Sequence, residues 1–300
     1  MNAKNLLNIL ACPDCRTRLN QKNEFQLECE SCKQVFEIRE NIPILLTKEF
    51  DRSPSSQDKK FELEFMKQAV QNDAVKGFDR GVYAGLKEQE YRDLFDKVLI
   101  PSGDEERLIL DLGCGVGLSS IILSKYGYEV AGLDIIFEGL RKTKTIVEPG
   151  EILPFLVVGD VEHTPFLNQI FDAIFVGGVF HHFPNYVMAL EECYRILKTK
   201  GRLIALEPNW LDLPSMLKFT LGRQKGYASI NESALNPFKF KKDVEKYFHD
   251  VQLIYPGINH TRYIINDTVK KKISAFFRNS FYTIFPEMCS NQFFLVIGTK

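Results

Sequence analysis

Leu110-Asp111-Leu112-Gly113-Cys114-Gly115-Val116-Gly117-Leu118 is a glycine-rich turn set between an apolar strand, 107–112, and an apolar helix that starts near Leu118. Glycine at 113, 115 and 117 lets the backbone take positive φ and lets a ligand approach with no Cβ in the way. The first turn of the following helix offers N–H groups that have no partner inside the helix. Strand, glycine turn and helix in this order mark a cofactor-binding turn. Dinucleotide folds use G-x-G-x-x-G and seat a pyrophosphate at the helix start. Here the spacing is G-x-G-x-G, and Asp111 stands two residues before the first glycine, where a carboxylate repels a pyrophosphate.

The same carboxylate suits a ligand that carries ammonium and sulfonium charges, and S-adenosylmethionine carries both. A second strand, 128–133, leads to Asp134, at the position where an acidic residue accepts from both ribose hydroxyls. Further strands are read near 153–158, 171–176, 201–207, 250–255 and 291–298, with helices between most of them. This alternation predicts a mostly parallel sheet with ligands at the carboxyl ends of its strands.

On these residues the chain resembles the class I S-adenosylmethionine-dependent methyltransferases, over roughly residues 80 to 300. Gly159-Asp160-Val161 follows the third strand, Phe171 to Gly177 forms the fourth, Leu197 to Glu207 runs through Lys200-Gly201 into the fifth, and Gln292 to Gly298 forms the last. The resemblance implies an α/β, Rossmann-like domain with a seven-stranded, mostly parallel sheet, helices on both faces and an antiparallel final strand. It also implies that Asp111 and Asp134 bind the amino-acid and ribose parts of the cofactor and that Asp160-Val161 flanks the adenine. Gly113, Gly115, Gly117, Ile135 and Gly177 complete the cofactor set. Glu207-Pro208-Asn209 falls where substrate groups usually sit.

Cys12-Pro13-Asp14-Cys15 and Cys29-Glu30-Ser31-Cys32 are two C-x-x-C knuckles separated by 13 residues, a spacing that lets four thiolates converge tetrahedrally on one zinc ion. Two disulfides are the rival reading. Cys114, Cys193 and Cys289 lie in apolar surroundings and read as small core residues. Residues 1–47 resemble the small zinc-ribbon proteins that activate methyltransferases, and the ribbons fused in front of some bacterial ribosomal-RNA guanine methyltransferases. Leu6 to Leu10 before Cys12-Pro13, then Val35-Phe36-Glu37-Ile38-Arg39 and Asn41 to Leu46, carry that likeness. The chain is thus divided into a ribbon, 1–47, a polar linker, 48–60, and a methyltransferase domain, 61–300, with capping helices in front and lid insertions at 209–242 and 257–290. The ribbon serves either as a metal-stapled module that packs on the domain or as an element that stabilises it or presents substrate in cis. A ribbon of this size is expected to unfold with loss of its metal while the sheet domain stays folded.

With 300 residues, 45% of them hydrophobic, the chain can bury an α/β core and a small accessory module. Its net charge of −1 gives no global attraction to nucleic acid or anionic lipid, and its apolar runs are strand-sized, so no transmembrane segment is expected. Ile9-Leu10-Ala11-Cys12 imitates a lipoprotein cleavage box, but the apolar stretch before it is short and contains Asn8, so a cytoplasmic protein is expected. Between Lys218 and Tyr282 there are 12 Lys or Arg against 5 Asp or Glu, with Lys270-Lys271-Lys272 followed by Phe276-Phe277-Arg278. That face is either a solvated helix surface or a contact for phosphate, RNA or membrane.

Methyl transfer asks mainly for alignment. His181-His182, just past the fourth strand, and Glu207 are the candidates for a catalytic role, against the alternative that the histidines cap the next helix or line the pocket. The fourth strand lacks the Asn-Pro-Pro-aromatic block of many methylases that act on exocyclic amines. The leading expectation is an S-adenosylmethionine-dependent methyltransferase acting on a small-molecule or lipid- or nucleotide-linked acceptor, at oxygen or carbon. A ribosomal or transfer RNA methyltransferase comes second, disfavoured by a ribbon with equal numbers of acidic and basic side chains. A non-catalytic cofactor-binding partner comes third. Oligomeric state is not legible.

Overall fold

The computed structural model describes residues 6–50, 57, 59–61, 63–64, 88–99, 107–212, 231–257 and 292–300. The seven strands expected for the domain all form: β5 (Leu108–Leu112), β6 (Glu129–Asp134), β7 (Phe155–Gly159), β8 (Phe171–Gly177), β9 (Leu197–Pro208), β10 (His249–Ile254) and β11 (Phe293–Thr299). They lie side by side in the order β7-β6-β5-β8-β9-β11-β10, parallel except for β11, which runs antiparallel between β9 and β10. All five residues of β5 are buried, as a central parallel strand covered on both faces requires. Strand β9 begins at Leu197, directly after a helix, rather than at Gly201, and Lys200 takes a positive φ of 68° where the pairing with β8 shifts register.

Among the described residues five helices cover the sheet: α1 (Glu88–Val98), α2 (Leu118–Lys125), α3 (Phe137–Ile146), α4 (Val187–Ile196) and α5 (Pro237–Val244). Helix α1 buries Tyr91, Leu94, Phe95 and Val98, which recur at helical spacing, and Phe95 meets Phe175 of β8 edge-on at 5.0 Å. Helix α5 starts where the Asn236 side chain accepts from the backbone N–H groups of Phe238 and Lys239, with Pro237 in the first turn. Its Pro237 and Phe240 are buried, so the end of the segment read from the sequence as a lid, 209–242, anchors a helix on the domain. Lys270 to Tyr282 and Cys289 lie outside the described residues. Among the described residues no helix is long and apolar enough to cross a membrane.

The ribbon contributes β1 (Leu19–Asn23), β2 (Gln26–Cys29), β3 (Val35–Arg39) and β4 (Ile42–Leu45), antiparallel neighbours in that order. Strand β4 then pairs in parallel with β7, Ile44 opposite Val158 and Leu45 opposite Gly159, so the sheet runs unbroken through eleven strands. A second seam lies alongside: Ala11 N donates to Pro165 O at 2.9 Å and Leu167 N to Ile9 O at 2.9 Å. Leu10, Leu27, Phe36 and Leu45 share one apolar core with Leu110, Leu133, Val157 and Phe166 of the domain. A ribbon of this size shares the core of the domain, so its loss is expected to reach into the sheet.

Glu192 on α4 fastens this junction. Its Oε2 accepts from Arg16 Nη1 at 2.5 Å, from Arg195 Nη2 at 2.8 Å, and from Thr164 N and Oγ1 at 2.9 and 2.8 Å. Burial opposes the charge, but hydrogen bonds from Arg195 and Arg16 hold the carboxyl below its ordinary range. Removing it strands a partly buried guanidinium and a buried N–H, so Glu192→Ala is expected to cost about 3–5 kcal/mol in urea unfolding. Arg16 is about a third exposed, and Arg16→Ala is expected to cost about 1 kcal/mol or less.

Candidate functional site

The glycine turn is pinned to the end of β6. Gly113 N and Cys114 N both donate to Leu133 O, at 2.7 and 3.0 Å, and Gly115 N donates to Asp134 Oδ2 at 2.8 Å. The other oxygen of Asp134 accepts from Ile136 N at 2.9 Å. Glycine is required at two of these positions. Gly113 has a φ of +74°, and a Cβ there would stand 2.3 Å from Val179 Cγ2. Gly117, the N-cap of α2, has a φ of +75°, and a Cβ there would stand 2.4 Å from Thr143 Cγ2 on α3.

Asp111, on β5, is buried and accepts from Ser119 Oγ at 2.6 Å and Ser120 Oγ at 2.5 Å, which ties the strand to the first turn of α2. Burial pushes its pKa up to about 6, against the lowering effect of the two hydroxyls. Asp160 follows β7. Its Oδ1 accepts from Glu162 N at 3.0 Å, and its Oδ2 is paired at 2.5 Å with Lys59 Nζ, which also reaches Glu162 Oε2 at 2.6 Å. Val161 is buried in the 3-10 turn Val161–His163, Ile135 is half-buried next to Asp134, and Gly177 ends β8. Asp111, the three glycines, Asp134, Ile135, Asp160, Val161 and Gly177 thus all come from the carboxyl ends of β5 to β8 or from the loops just beyond them.

On the acceptor side, Glu207 is completely buried near the end of β9. Its Oε1 accepts from Val179 N at 3.0 Å and Phe180 N at 2.9 Å, and its Oε2 from His181 N at 3.3 Å, so one carboxylate caps the 3-10 turn Phe180–His182. The same Oε2 lies 2.9 Å from His181 Nδ1. Glu232 Oε1 lies 3.7 Å from His181 Nε2, and its Oε2 lies 3.9 Å from His182 Nδ1. Burial alone would push the His181 imidazolium down, but its contacts with Glu207 and Glu232 hold its pKa at about 9. Both oxygens of Glu207 are thus engaged by backbone N–H groups and by His181.

In the ribbon, the Sγ atoms of Cys12, Cys15, Cys29 and Cys32 all lie within 4.8 Å of one another, with Cys12 to Cys32 at 3.7 Å and Cys15 to Cys29 at 3.3 Å. Four thiolates at the zinc–sulfur bond length stand ~3.8 Å apart, so the set fits a tetrahedral zinc ion. The two knuckles are built alike. Arg16 and Lys33, each just past the second cysteine, adopt positive φ and donate N–H to the carbonyls of Cys12 and Cys29.

Lys59, Glu192 and Glu232 were not legible as site residues. Lys59 falls in a stretch whose polarity signals only a linker, and Glu232 stands 25 residues past Glu207 with no motif around it.

Residues 110–205 match the methyltransferase domain family, and residues 4–41 match the Trm112p-like protein family. A demethylmenaquinone methyltransferase of Thermotoga maritima is 36% identical over 114 residues, covering 37% of this chain and 47% of that protein. The chain spans about half the length of the curated relatives it matches. Among solved structures, an S-adenosylmethionine-dependent methyltransferase from Archaeoglobus fulgidus aligns with a TM-score of 0.52 at 18% identity, over 72% of this chain and 95% of that one. A chain from the complex between the Haloferax volcanii Trm112 methyltransferase activator and a methyltransferase aligns with a TM-score of 0.53 at 16% identity, over 77% and 96%. The fold is that of the class I methyltransferases. Within it, this chain joins a methyltransferase domain to a Trm112p-like amino-terminal ribbon.

The raised pKa of Asp111 has a measurable sign. The folded chain holds this proton more tightly than the unfolded chain, whose carboxyl titrates near its ordinary value. Stability is therefore lost as pH rises from about 4 to about 6 and stays lower above it. Relative to Asp111→Asn, the ligand-free wild type is expected to lose on the order of 2–3 kcal/mol across that window. Urea unfolding of both proteins between pH 4 and 7 measures the difference.

Proposed function

We propose that the chain transfers a methyl group from S-adenosylmethionine to a small-molecule acceptor, at oxygen or carbon, and that Cys12, Cys15, Cys29 and Cys32 hold a structural zinc ion. The observation that carries the first part is the Asp134 carboxylate at the tip of β6, fixed by Gly115 N beside a glycine turn with three positive-φ glycines. Asp134 and the turn would hold the ribose and the backbone-facing part of the cofactor, Asp111 lies toward its cationic amino-acid end, and Asp160-Val161 toward its adenine. When bound, the cofactor supplies a methyl group already activated on a sulfonium.

The chain's own residues orient and exclude water. Glu207 caps the turn that carries His181 and His182, which sets both imidazoles at the carboxyl end of β8, where an acceptor has to enter. His181 lies between two carboxylates, with Nδ1 2.9 Å from Glu207 Oε2 and Nε2 3.7 Å from Glu232 Oε1. The relatives named demethylmenaquinone methyltransferase support a small acceptor over a macromolecular one. Four thiolates on zinc fit a reducing compartment, and we place the protein in the cytoplasm.

Asp134→Ala removes an anionic acceptor and releases Gly115 N, so affinity for S-adenosylmethionine is expected to fall ten- to a hundredfold or more, about 1.5–3 kcal/mol. Calorimetry showing unchanged binding would overturn the cofactor assignment. Because β4 is the partner of β7, and β7 leads to Asp160, Cys29→Ser is expected to abolish stoichiometric zinc and also to weaken cofactor binding. Elemental analysis together with the same calorimetry checks both effects, and zinc loss without any change in affinity would show that the ribbon is passive.

A further inference from the structure

Three side chains that the methyl-transfer reading leaves without an assigned task converge on one point. The ligand atoms of His181, His182 and Glu232 lie within 4.8 Å of one another, with edges of 3.7 Å from His181 Nε2 to Glu232 Oε1 and 3.9 Å from His182 Nδ1 to Glu232 Oε2. Ligand atoms bound at ~2.0–2.2 Å around a tetrahedral ion stand ~3.3–3.6 Å apart, so rotamer-scale adjustments close the set on an ion. The two imidazole rings are tilted by 37° with their centroids 4.1 Å apart, and one carboxylate approaches both.

The supporting geometry is that of a metal centre. With its proton on Nδ1, His181 donates to Glu207 Oε2 at 2.9 Å and presents Nε2 to Glu232, and a carboxylate on the far nitrogen is the usual orienting partner of a ligating histidine. That carboxylate is itself held by three backbone N–H groups. The segment bearing Glu232 is clipped to the histidine turn by Ser233 N donating to His181 O at 3.1 Å, and Leu235 N and Trp210 N exchange hydrogen bonds with Pro208 O and Leu235 O at the end of β9. The donors therefore come from two segments whose backbones are locked together.

We propose that His181 Nε2, His182 Nδ1 and the Glu232 carboxylate bind a divalent first-row transition-metal ion, with Glu207 as the outer-sphere carboxylate. Two imidazoles and one carboxylate select such ions over magnesium or calcium, which prefer all-oxygen sets. Three protein ligands leave coordination positions for a small molecule. On the methyl-transfer reading, the occupant of those positions is the acceptor oxygen. The ion lowers the pKa of a bound hydroxyl, whose proton passes to water, and no protein base is then needed.

The test is a titration of cobalt(II) into the full-length, zinc-loaded chain, followed by calorimetry, elemental analysis and visible absorption. The expected result is a second metal equivalent per chain with ligand-field bands of nitrogen and oxygen coordination and no thiolate charge-transfer band, which separates it from the ribbon site. Glu207→Gln should weaken the second site about ten- to a hundredfold, and Glu232→Gln and His182→Asn should weaken it more. The ribbon zinc and the circular dichroism spectrum report whether each variant is folded. His182 is half-buried and contributes no backbone cap, so His182→Asn serves where Glu207→Gln fails to fold. A stoichiometry that stays at one under excess metal, or a second equivalent with unchanged affinity in His182→Asn and Glu232→Gln, overturns the proposal and leaves the cluster as an ion-pair network. A second metal without any S-adenosylmethionine binding would instead refute the methyl-transfer reading and leave the metal site standing.

Discussion

The architecture depends on the hydrogen bonds that fold the glycine turn onto the tip of β6. Two successive N–H groups, from Gly113 and Cys114, share Leu133 O, and the next available one, from Gly115, goes to the Asp134 carboxylate. These contacts oblige the chain to turn sharply at the end of the central strand. They bring the start of α2 over the sheet and place Asp134 beside backbone that carries no side chain. The neighbours then leave no slack. Val179 fills the space where a Cβ at 113 would go, and Thr143 fills the space at 117. The proposed cofactor site and the fold are therefore one construction, because the residues that would hold the ligand also satisfy the backbone polar groups of the turn.

The ribbon extends the same logic to the sheet edge. A parallel sheet ending at β7 would present unpaired N–H and C=O groups next to the loop that carries Asp160. Strand β4 covers that edge, Leu10 and Leu45 complete the apolar layer beneath it, and Glu192 locks knuckle, loop and helix together. Lys59, some dozen residues beyond β4, then reaches back to Asp160 and Glu162. The metal-binding knuckles are in this way coupled, through β4 and β7, to the adenine end of the proposed cofactor site. This favours a stabilising role in cis over that of a passive appendage.

The domain fold was legible because its signals are local and repeated. The glycine spacing, Asp134 one strand later, and apolar runs at regular intervals each depend on neighbours in sequence, and the seven strands fall within a few residues of their expected bounds. The long start of β9 was missed because Lys200 turns through positive φ inside a strand, a choice that hydrophobic pattern does not register. Continuity between ribbon and domain was not legible either. A strand added in parallel by an edge is set by backbone pairing and by cores formed across more than a hundred residues, and Ile42 to Leu45 reads the same whether its partner is near or far. Asp160 with Lys59, and His181 with Glu232, likewise pair residues that share no motif. Glu207 could be found at its strand end, but its task of capping three N–H groups follows only from the turn that folds over it.

The central claim is that the glycine turn is the cofactor site and that its shape is imposed by β6 and Val179. Calorimetric titration of S-adenosylhomocysteine into Gly113→Ala tests this most directly. A Cβ at φ +74° and 2.3 Å from Val179 Cγ2 has to displace the turn from the strand tip. The account predicts at least about a tenfold loss of affinity, with the ribbon zinc retained and the far-ultraviolet circular dichroism unchanged. Wild-type affinity in that variant, or no binding by the wild type itself, would contradict the account.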